Sequence, residues 1–197
     1  MKPADIKRNL DEVIDLLAHD PYPYLYHPDK DFTRKRKLHF KTIIEMIMGM
    51  GGGSLSKEIF EWFDYAEDTV SVSAFVQQRN KIKYEALNFI FKTMIHRCDK
   101  HLLFNGYRLF AVDGSDLRLP TNKIDHFSFI KNDKETKGYN LLHLDTLYDL
   151  LQHVYIDASI QSKIGMNEHK ALVNMIDQHY ENAALAFTYS AKKLRSR

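Results

Sequence analysis

The stretch Tyr107-Arg-Leu-Phe-Ala-Val112, which runs directly into Asp113-Gly-Ser115, marks the point where the character of the chain changes. A short apolar run ahead of an Asp-Gly pair is typical of a buried β-strand that ends in a turn. Before this stretch the apolar residues recur at helical spacing, whereas after it they fall in runs of strand length. The sequence therefore predicts a helical domain over residues 1–100, a mixed α/β domain over residues 101–190 and a disordered tail over residues 191–197.

Upstream of this stretch, the pattern predicts five helices. In the first, Ile6, Leu10 and Leu17 share one apolar face, and Asp5 is the expected N-cap. Three prolines between residues 21 and 28 end this helix, because proline lacks a backbone donor and fixes φ. Further helices are expected over residues 38–49, from Ser54 or Ser56 through Phe63, after a cap at Ser73, and over residues 84–98.

Downstream, the chain alternates between strands and helix. Residues 121–138 are polar and indicate a long surface loop, and strands are expected over residues 139–148 and 152–160. Asn167 is expected to cap a helix that extends to about Tyr180, and the run Ala183-Ala-Leu-Ala-Phe187 has strand length. Three strands, a helix and a fourth strand predict a fold of the α+β or α/β class, with a mixed sheet covered by helices.

Composition excludes several classes of protein. The chain has 197 residues, of which 44% are hydrophobic, so it has enough apolar material for a core. Its single cysteine, Cys98, excludes a disulfide scaffold and fits a reducing compartment such as the cytoplasm. No apolar run approaches the roughly 20 residues that a membrane span needs. The formal net charge is only +2, so nucleic-acid binding would have to depend on local patches of basic residues.

Asp113 is the first candidate for chemistry. A carboxylate that a strand delivers to the edge of a sheet is placed where ligands and functional groups gather in α/β folds. Such a group can hold Mg²⁺ together with waters and phosphate oxygens. The alternative is structural, since Asp-Gly-Ser is also the pattern of an Asx-turn in which Asp113 bonds to the backbone of Ser115.

Several segments carry a resemblance to a known family. The string Phe110-Ala-Val-Asp113-Gly-Ser-Asp-Leu-Arg-Leu-Pro120 resembles the first-aspartate strand of bacterial insertion-sequence transposases of the DDE class, in the insertion sequence 4 group. Upstream, residues 51–58 and 73–82 are similar to the helical region that precedes the catalytic core in those proteins. Residues 138–148 and 152–157 are similar to the second and third strands of that core, and residues 167–172 to the start of its helix.

This resemblance implies a ribonuclease-H-like core in which two aspartates and a glutamate hold two Mg²⁺ ions for DNA cleavage and strand transfer. Asp113 matches the first aspartate and is therefore the predicted catalytic and metal-binding residue. The second aspartate should follow the fourth strand, but the residues after Phe187 contain no acid. The sequence thus predicts an incomplete ribonuclease-H-like sheet, in a copy truncated before the second aspartate and inactive as a catalyst.

Two basic patches are the candidate DNA contacts. One patch precedes the second helix and the other begins in the fourth, and a helix–turn–helix over about residues 38–63 would place such residues at phosphates. The predicted contacts are Arg34, Lys35, Arg36, Lys37, Lys41, Arg79, Lys81 and Lys83. The expected DNA partner is the terminal inverted repeat of a mobile element, and the expected protein partner is a second copy or a full-length transposase in the bacterial nucleoid.

Two alternatives come from other functional classes. The chain could be a non-enzymatic DNA-binding remnant that inhibits the full-length protein, or an unrelated metal-dependent hydrolase. A hydrolase would need a complete cluster of acidic residues, and none is visible in the sequence. Asp116 is interpreted as a solvated loop acid, Asp145 and Asp149 lie in or beside the second strand, Asp157 is placed at the same edge as Asp113, and Glu168 favours the first turn of its helix. The ten histidines form no helical HExxH pair and are expected at the surface or in satisfied positions.

Overall fold

The computed structural model describes residues 2–34, 36–131 and 137–177, together with the backbone of residues 183–187. The chain separates into two compact units, Met1–Cys98 and Asp99–Arg197. The fold combines helices and strands, as the sequence predicts. The tail predicted to be disordered, residues 191–197, lies outside the described residues.

The first unit is built from five α-helices. Their bounds are α1 Pro3–His19, α2 Phe40–Gly49, α3 Leu55–Trp62, α4 Val72–Arg79 and α5 Glu85–Cys98, and a short 3-10 turn lies at Tyr22–Tyr24. Two apolar clusters hold them together. Buried residues of α1, α2 and α5 form one cluster, and Ile43, Ile59 and Phe75 join α2, α3 and α4 in the other. Among the described helices, none combines the length and apolar character required to cross a bilayer.

The starts of two helices differ from the prediction. Helix α1 begins at Pro3, since proline suits the first helical position, and Asp5 lies inside the helix, where its carboxylate accepts a hydrogen bond from the Lys2 backbone N–H. Helix α4 is capped by Ser71, whose hydroxyl oxygen accepts from the Ala74 backbone N–H, and Ser73 is already helical. The cap at Ser54 is confirmed, with its hydroxyl accepting from the Lys57 backbone N–H.

The described part of the second unit contains one sheet and one helix. The elements are β1 Arg108–Leu119, β2 Phe129–Ile130, β3 Tyr139–Asp149, β4 Val154–Ser162, α6 Glu168–Asp177 and β5 Ala183–Phe187. Strand β3 pairs antiparallel with β1 and with β4, and the short β2 pairs with the beginning of β3. After α6, β5 pairs parallel with β1 at the other side of the sheet. The predicted strands and helix after residue 138 are confirmed with boundaries shifted by one or two residues, apart from the predicted end of α6 at about Tyr180, which lies outside the described residues.

The turn predicted at Asp113-Gly-Ser115 is wrong. Strand β1 continues through these residues, because every position from Phe110 to Leu119 pairs with a residue of β3. The long antiparallel pairing with β3 overrides the local turn preference of Asp and Gly. As a result, neither Asp113 nor Asp116 lies in a loop, and both belong to the central part of the sheet.

The pairing register assigns each residue to one face of the sheet, because directly opposed residues carry their side chains on the same side. Leu147 lies between Val112 on β1 and Asp157 on β4, on the face that α6 covers. Asp113 lies opposite Thr146, which lies opposite Ala158, and so belongs to the other face. The expectation that Asp157 shares the edge of Asp113 is therefore wrong, since the register places the two carboxylates on opposite faces.

A buried ionic network joins the start of β1 to the end of β3. Arg108 is 4% exposed and donates to Asp149 Oδ2 through Nη2 at 2.7 Å, and to Asp99 Oδ2 through Nη1 at 2.7 Å. Burial raises the pKa of the Asp149 carboxyl, but hydrogen bonds from Gln152, Arg108 and two backbone N–H groups outweigh it and hold that pKa below its ordinary value. This network holds the start of β1 against the end of β3.

Candidate functional site

Asp113, the predicted catalytic residue, lies exposed in the middle of β1, on the face away from α6. Thr146, opposite it on β3, donates a hydrogen bond from Oγ1 to the Asp113 backbone oxygen at 3.3 Å. Ala111 and Ser115 are its neighbours on the same strand face. Among the described residues, no second carboxylate lies beside Asp113 on that face, so this arrangement does not supply the donor set of a two-metal Mg²⁺ site.

A different cluster of titratable groups lies on the α6 face. Asp116 and His143 are directly opposed in the β1–β3 register, and their Oδ1 and Nδ1 atoms lie 2.8 Å apart. Lys163 also donates to Asp116 Oδ1, at 2.7 Å. The hydrogen bond with His143, followed by that with Lys163, lowers the pKa of the Asp116 carboxyl. Because an ionised carboxylate only accepts hydrogen bonds, His143 carries a proton on Nδ1, and a neutral ring then has its lone pair on Nε2.

The Nε2 atom of His143 faces two further carboxylates. Asp145 Oδ1 and Glu168 Oε1 each lie 3.3 Å from it, and the three atoms all lie within 4.8 Å of one another. His143 is 4% exposed and Asp145 1% exposed, whereas the Glu168 side chain is 60% exposed. Within the described part of the chain, His143 Nε2 and Asp145 Oδ1 have no hydrogen-bond partner. A buried polar atom without a partner costs about 1–3 kcal/mol, so this geometry calls for a physical reason.

Local structure explains how the cluster is assembled. Alternation along β3 places His143 and Asp145 on the same face, two residues apart. Asn167 caps α6 by accepting from the Lys170 backbone N–H at 2.9 Å, which brings Glu168 to the first turn over that face. Gln161 of β4 donates to the second oxygen of Asp145 at 2.6 Å, so one carboxylate oxygen is held and the other points toward His143.

Gly114 provides the space above this cluster. It pairs with Asp145, and a Cβ added at Gly114 would lie 2.7 Å from His143 Nε2 and 3.5 Å from Asp145 Oδ1. Glycine inside a strand often marks a place where another group approaches the backbone closely. The sequence pattern indicates a turn at Gly114. In the structure, the missing side chain of Gly114 keeps the space next to His143 Nε2 open.

In the first unit, three of the predicted DNA contacts line one groove. Arg34, Arg36 and Lys81 line a groove of about 410 Å³ together with Lys30 and Gln78. Lys81 also pairs with Asp31, whose carboxylate lies 3.8 Å from the ammonium nitrogen of Lys81. Arg79 and Lys83 line a neighbouring groove, where Lys83 donates to the Pro23 backbone oxygen at 3.1 Å. The structure thus brings residues of the two basic patches close together.

The other predicted contacts are engaged elsewhere or fall outside the description. Lys37 pairs with Asp68, and Lys41 pairs with Asp15 and Glu45. In contrast, Arg34, Arg36 and Arg79 are exposed and make no ion pair with the described residues. Lys35 lies outside the described residues. Helices α2 and α3 occupy the region of the predicted helix–turn–helix, joined through residues 50–54, and their role at DNA stays a prediction.

Sequence reasoning missed the cluster on the α6 face. The sequence predicts surface or satisfied histidines, a loop position for Asp116 and a helix-end role for Glu168. Apart from His143, the histidines among the described residues are exposed, and Glu168 lies in the first turn of α6, so these two expectations agree with the structure. His143 is buried and Asp116 lies in β1. Alternation over β3 is the one signal that could have shown that His143 and Asp145 share a face, but no spacing rule links them to Asp116 or Glu168.

Comparisons with protein-family models, with curated proteins and with solved structures each found no match for this chain.

Proposed function

We propose that this chain is a DNA-binding protein of the transposase type, which binds the terminal inverted repeats of a mobile element through its first unit. The observation that carries the proposal is the groove in which Arg34, Arg36 and Lys81 converge. Guanidinium groups without a carboxylate partner are suited to phosphate oxygens, which they bind in bidentate geometry. The bacterial nucleoid is the expected location, and a second copy or a full-length transposase is the expected protein partner.

A salt titration separates the groove from the other basic residues. The test variant is Arg34→Ala/Arg36→Ala, and the matched control is Lys37→Ala/Lys41→Ala, whose ammonium groups pair with Asp68, Asp15 and Glu45. Binding to a labelled duplex is measured by fluorescence anisotropy over a range of salt concentrations. Loss of two phosphate contacts should reduce the slope of log K against log salt by about 1.8, since each contact contributes roughly 0.9.

The control variant should keep the slope of the unmodified chain. The duplex is taken from DNA that borders the reading frame of this chain, and a scrambled duplex of equal length is measured beside it. An equal loss in both double variants would contradict the role of the groove. Equal affinity for the two duplexes would remove the claim that element ends are the cognate DNA.

We propose a ribonuclease-H-like core for the second unit. The order of the elements supports this proposal, because three antiparallel strands are followed by α6 and then by a strand parallel to β1. Asp113 matches the first aspartate of the resembling family, but its strand face has no second carboxylate among the described residues. We therefore expect no strand cleavage or transfer by this 197-residue chain in Mg²⁺ or Mn²⁺. Cleavage of end-bearing DNA that disappears in Asp113→Ala would contradict this expectation.

The remnant or inhibitor hypothesis shares with the transposase-type proposal the expectation of binding to element ends without cleavage. It adds that transposition should be reduced when this chain is co-expressed with a complete transposase. The hydrolase alternative needs a cluster of metal-ligating side chains. The cluster on the α6 face is the observation that supports this alternative. Salt-dependent binding of element ends through Arg34 and Arg36 is not expected of a hydrolase, so the salt titration distinguishes the two classes.

A further inference from the structure

The cluster on the α6 face has the composition of a metal centre. An imidazole nitrogen and two carboxylate oxygens form a mixed donor set, provided by His143, Asp145 and Glu168. Imidazole favours zinc and other first-row transition metals, whereas Mg²⁺ and Ca²⁺ favour sets made only of oxygen. This set therefore differs in chemical class from an all-carboxylate Mg²⁺ site, and it lies on the opposite face of the sheet from Asp113.

Two of the three donor–donor distances match the edge of a tetrahedron around a metal ion, and the third, between Asp145 Oδ1 and Glu168 Oε1, is within 4.8 Å. Ligands bound at about 2.0–2.1 Å in tetrahedral geometry lie roughly 3.3–3.4 Å from one another. His143 Nε2 lies 3.3 Å from Asp145 Oδ1 and 3.3 Å from Glu168 Oε1. These separations are longer than a good charge-assisted hydrogen bond, yet they equal the edge of such a tetrahedron.

Two independent features point to a ligand at this place. His143 Nε2 and Asp145 Oδ1 are buried and have no hydrogen-bond partner among the described residues, although they point toward the same space. Gly114 lacks the Cβ that would lie 2.7 Å from Nε2 and fill this space. A cation bound there would satisfy both atoms at once, and it would use space that any other residue at position 114 would occupy.

The surroundings resemble the outer shell of a histidine ligand. Asp116 accepts from Nδ1 of His143 at 2.8 Å, which orients the ring and makes its other nitrogen a better donor to a metal. Gln161 holds the second oxygen of Asp145 at 2.6 Å. Glu168 is 60% exposed, so one side of the cluster is open to solvent and to water ligands.

We propose that His143, Asp145 and Glu168 bind a first-row transition-metal dication such as Zn²⁺, with Asp116 as the positioning residue for His143. The ion would join the first turn of α6 to the centre of the sheet. This inference does not rest on the proposed DNA-binding function, because its residues belong to the second unit, whereas the basic groove belongs to the first.

The test measures binding of Zn²⁺ and Co²⁺ to the full chain, purified without a histidine tag and treated with a chelator. Isothermal titration with Zn²⁺ should show one tight site. A weak background is also expected, because the chain contains ten histidines and the others bind Zn²⁺ weakly. Co²⁺ should give a saturable visible spectrum typical of low coordination number, which millimolar Mg²⁺ does not remove. Zn²⁺ should also raise the melting temperature, because a ligand of the folded state stabilises it.

Variants on one helix provide a matched pair. Glu168→Gln removes a ligand that is exposed and should fold normally, whereas Asp177→Asn removes an exposed carboxylate at the far end of α6. We expect Glu168→Gln to lose at least about tenfold in Zn²⁺ affinity and Asp116→Asn to lose about 10–100-fold, the usual range for an outer-shell partner. Asp177→Asn should bind Zn²⁺ like the unmodified chain.

Gly114→Ala and His143→Gln should abolish the Co²⁺ spectrum, with circular dichroism as the check that both fold. The proposal is overturned if the unmodified chain shows no saturable site. It is also overturned if Glu168→Gln and Asp177→Asn bind Zn²⁺ equally well. Either result would mean that no ion binds between His143, Asp145 and Glu168.

Discussion

Replacing Arg108 with methionine tests how the second unit is held together. The guanidinium is buried and lies between Asp149, which is fully buried, and Asp99. Methionine keeps an apolar stem of similar shape but removes the guanidinium with its charge and its donors. Asp149 then loses its bonds to Nη2 and Nε, at 2.7 and 3.2 Å, and Asp99 loses its bond to Nη1.

The expected loss follows from what remains around the two carboxylates. Breaking a buried ion pair by removing one partner costs about 3–5 kcal/mol. Asp149 keeps hydrogen bonds from the Gln152 side chain at 3.0 Å and from the Leu151 and Gln152 backbone N–H groups at 2.9 Å. Because these donors partly replace Arg108, we expect the lower end of the range, about 3 kcal/mol, or roughly a hundredfold in the unfolding equilibrium.

The pH dependence has a definite sign. The folded pKa of Asp149 is lowered, so its stabilising contribution is complete above the unfolded value of about 3.9 and is lost as the pH falls through the folded pKa. In Arg108→Met one cause of that lowering is gone. The difference in stability between the unmodified chain and the variant should therefore be largest at neutral pH and should shrink below about pH 4.

Hydrogen exchange is the suitable assay, because the only tryptophan, Trp62, lies in the first unit and does not report on the sheet. Protection of β1 and β3 amides should fall about a hundredfold in Arg108→Met. The control Lys57→Met breaks an exposed pair with Glu61 in α3 and should cost less than about 1 kcal/mol. A loss below about 1 kcal/mol in Arg108→Met as well would refute the reasoning, since it would show a buried network no stronger than a surface pair.

Two further predictions concern local packing and capping. Gly138→Ala should destabilise the second unit by about 1–3 kcal/mol, because its Cβ would overlap the Phe129 ring and lie 2.8 Å from the Ile130 backbone oxygen. A Cβ at Gly52 meets no atom within 4 Å, so Gly52→Ala should leave the stability of the first unit unchanged. Hydrogen exchange measures both variants, and equal effects would contradict the argument. Ser71→Ala should cost about 1 kcal/mol through loss of the α4 cap, as measured by Trp62 fluorescence in urea. Ser73→Ala leaves that cap in place, and a larger loss there than in Ser71→Ala would restore Ser73 as the capping residue.

Most elements could be predicted because their signals are local. Helices α2, α3 and α5 and strands β3 and β4 appear within a few residues of their expected bounds, since the spacing of apolar residues depends on neighbours along the chain. The turn at Asp113-Gly-Ser115 was wrong for the opposite reason. Asp and Gly favour a turn locally, but the pairing of β1 with β3 extends over ten residues and decides the outcome.

The candidate sites divide in the same way. The basic residues of the first unit were evident as patches, but only the structure distinguishes Arg34 and Arg36, which have no described ion pair, from Lys37 and Lys41, which do. The separation of Asp113 from Asp157 also depends on strand register, which the sequence of a single strand does not contain.

By itself, the sequence determined where helices and strands lie, because hydrophobic periodicity and capping are properties of consecutive residues. Only the tertiary structure decided that Asp116, His143, Asp145 and Glu168 meet, since they come from three elements and their contact depends on register and on where α6 packs. The same structure decided the role of Gly114, whose missing Cβ matters only because His143 lies beside it. Side chains far apart in sequence become neighbours through pairing and packing, and those long-range constraints leave no pattern in the residues that obey them.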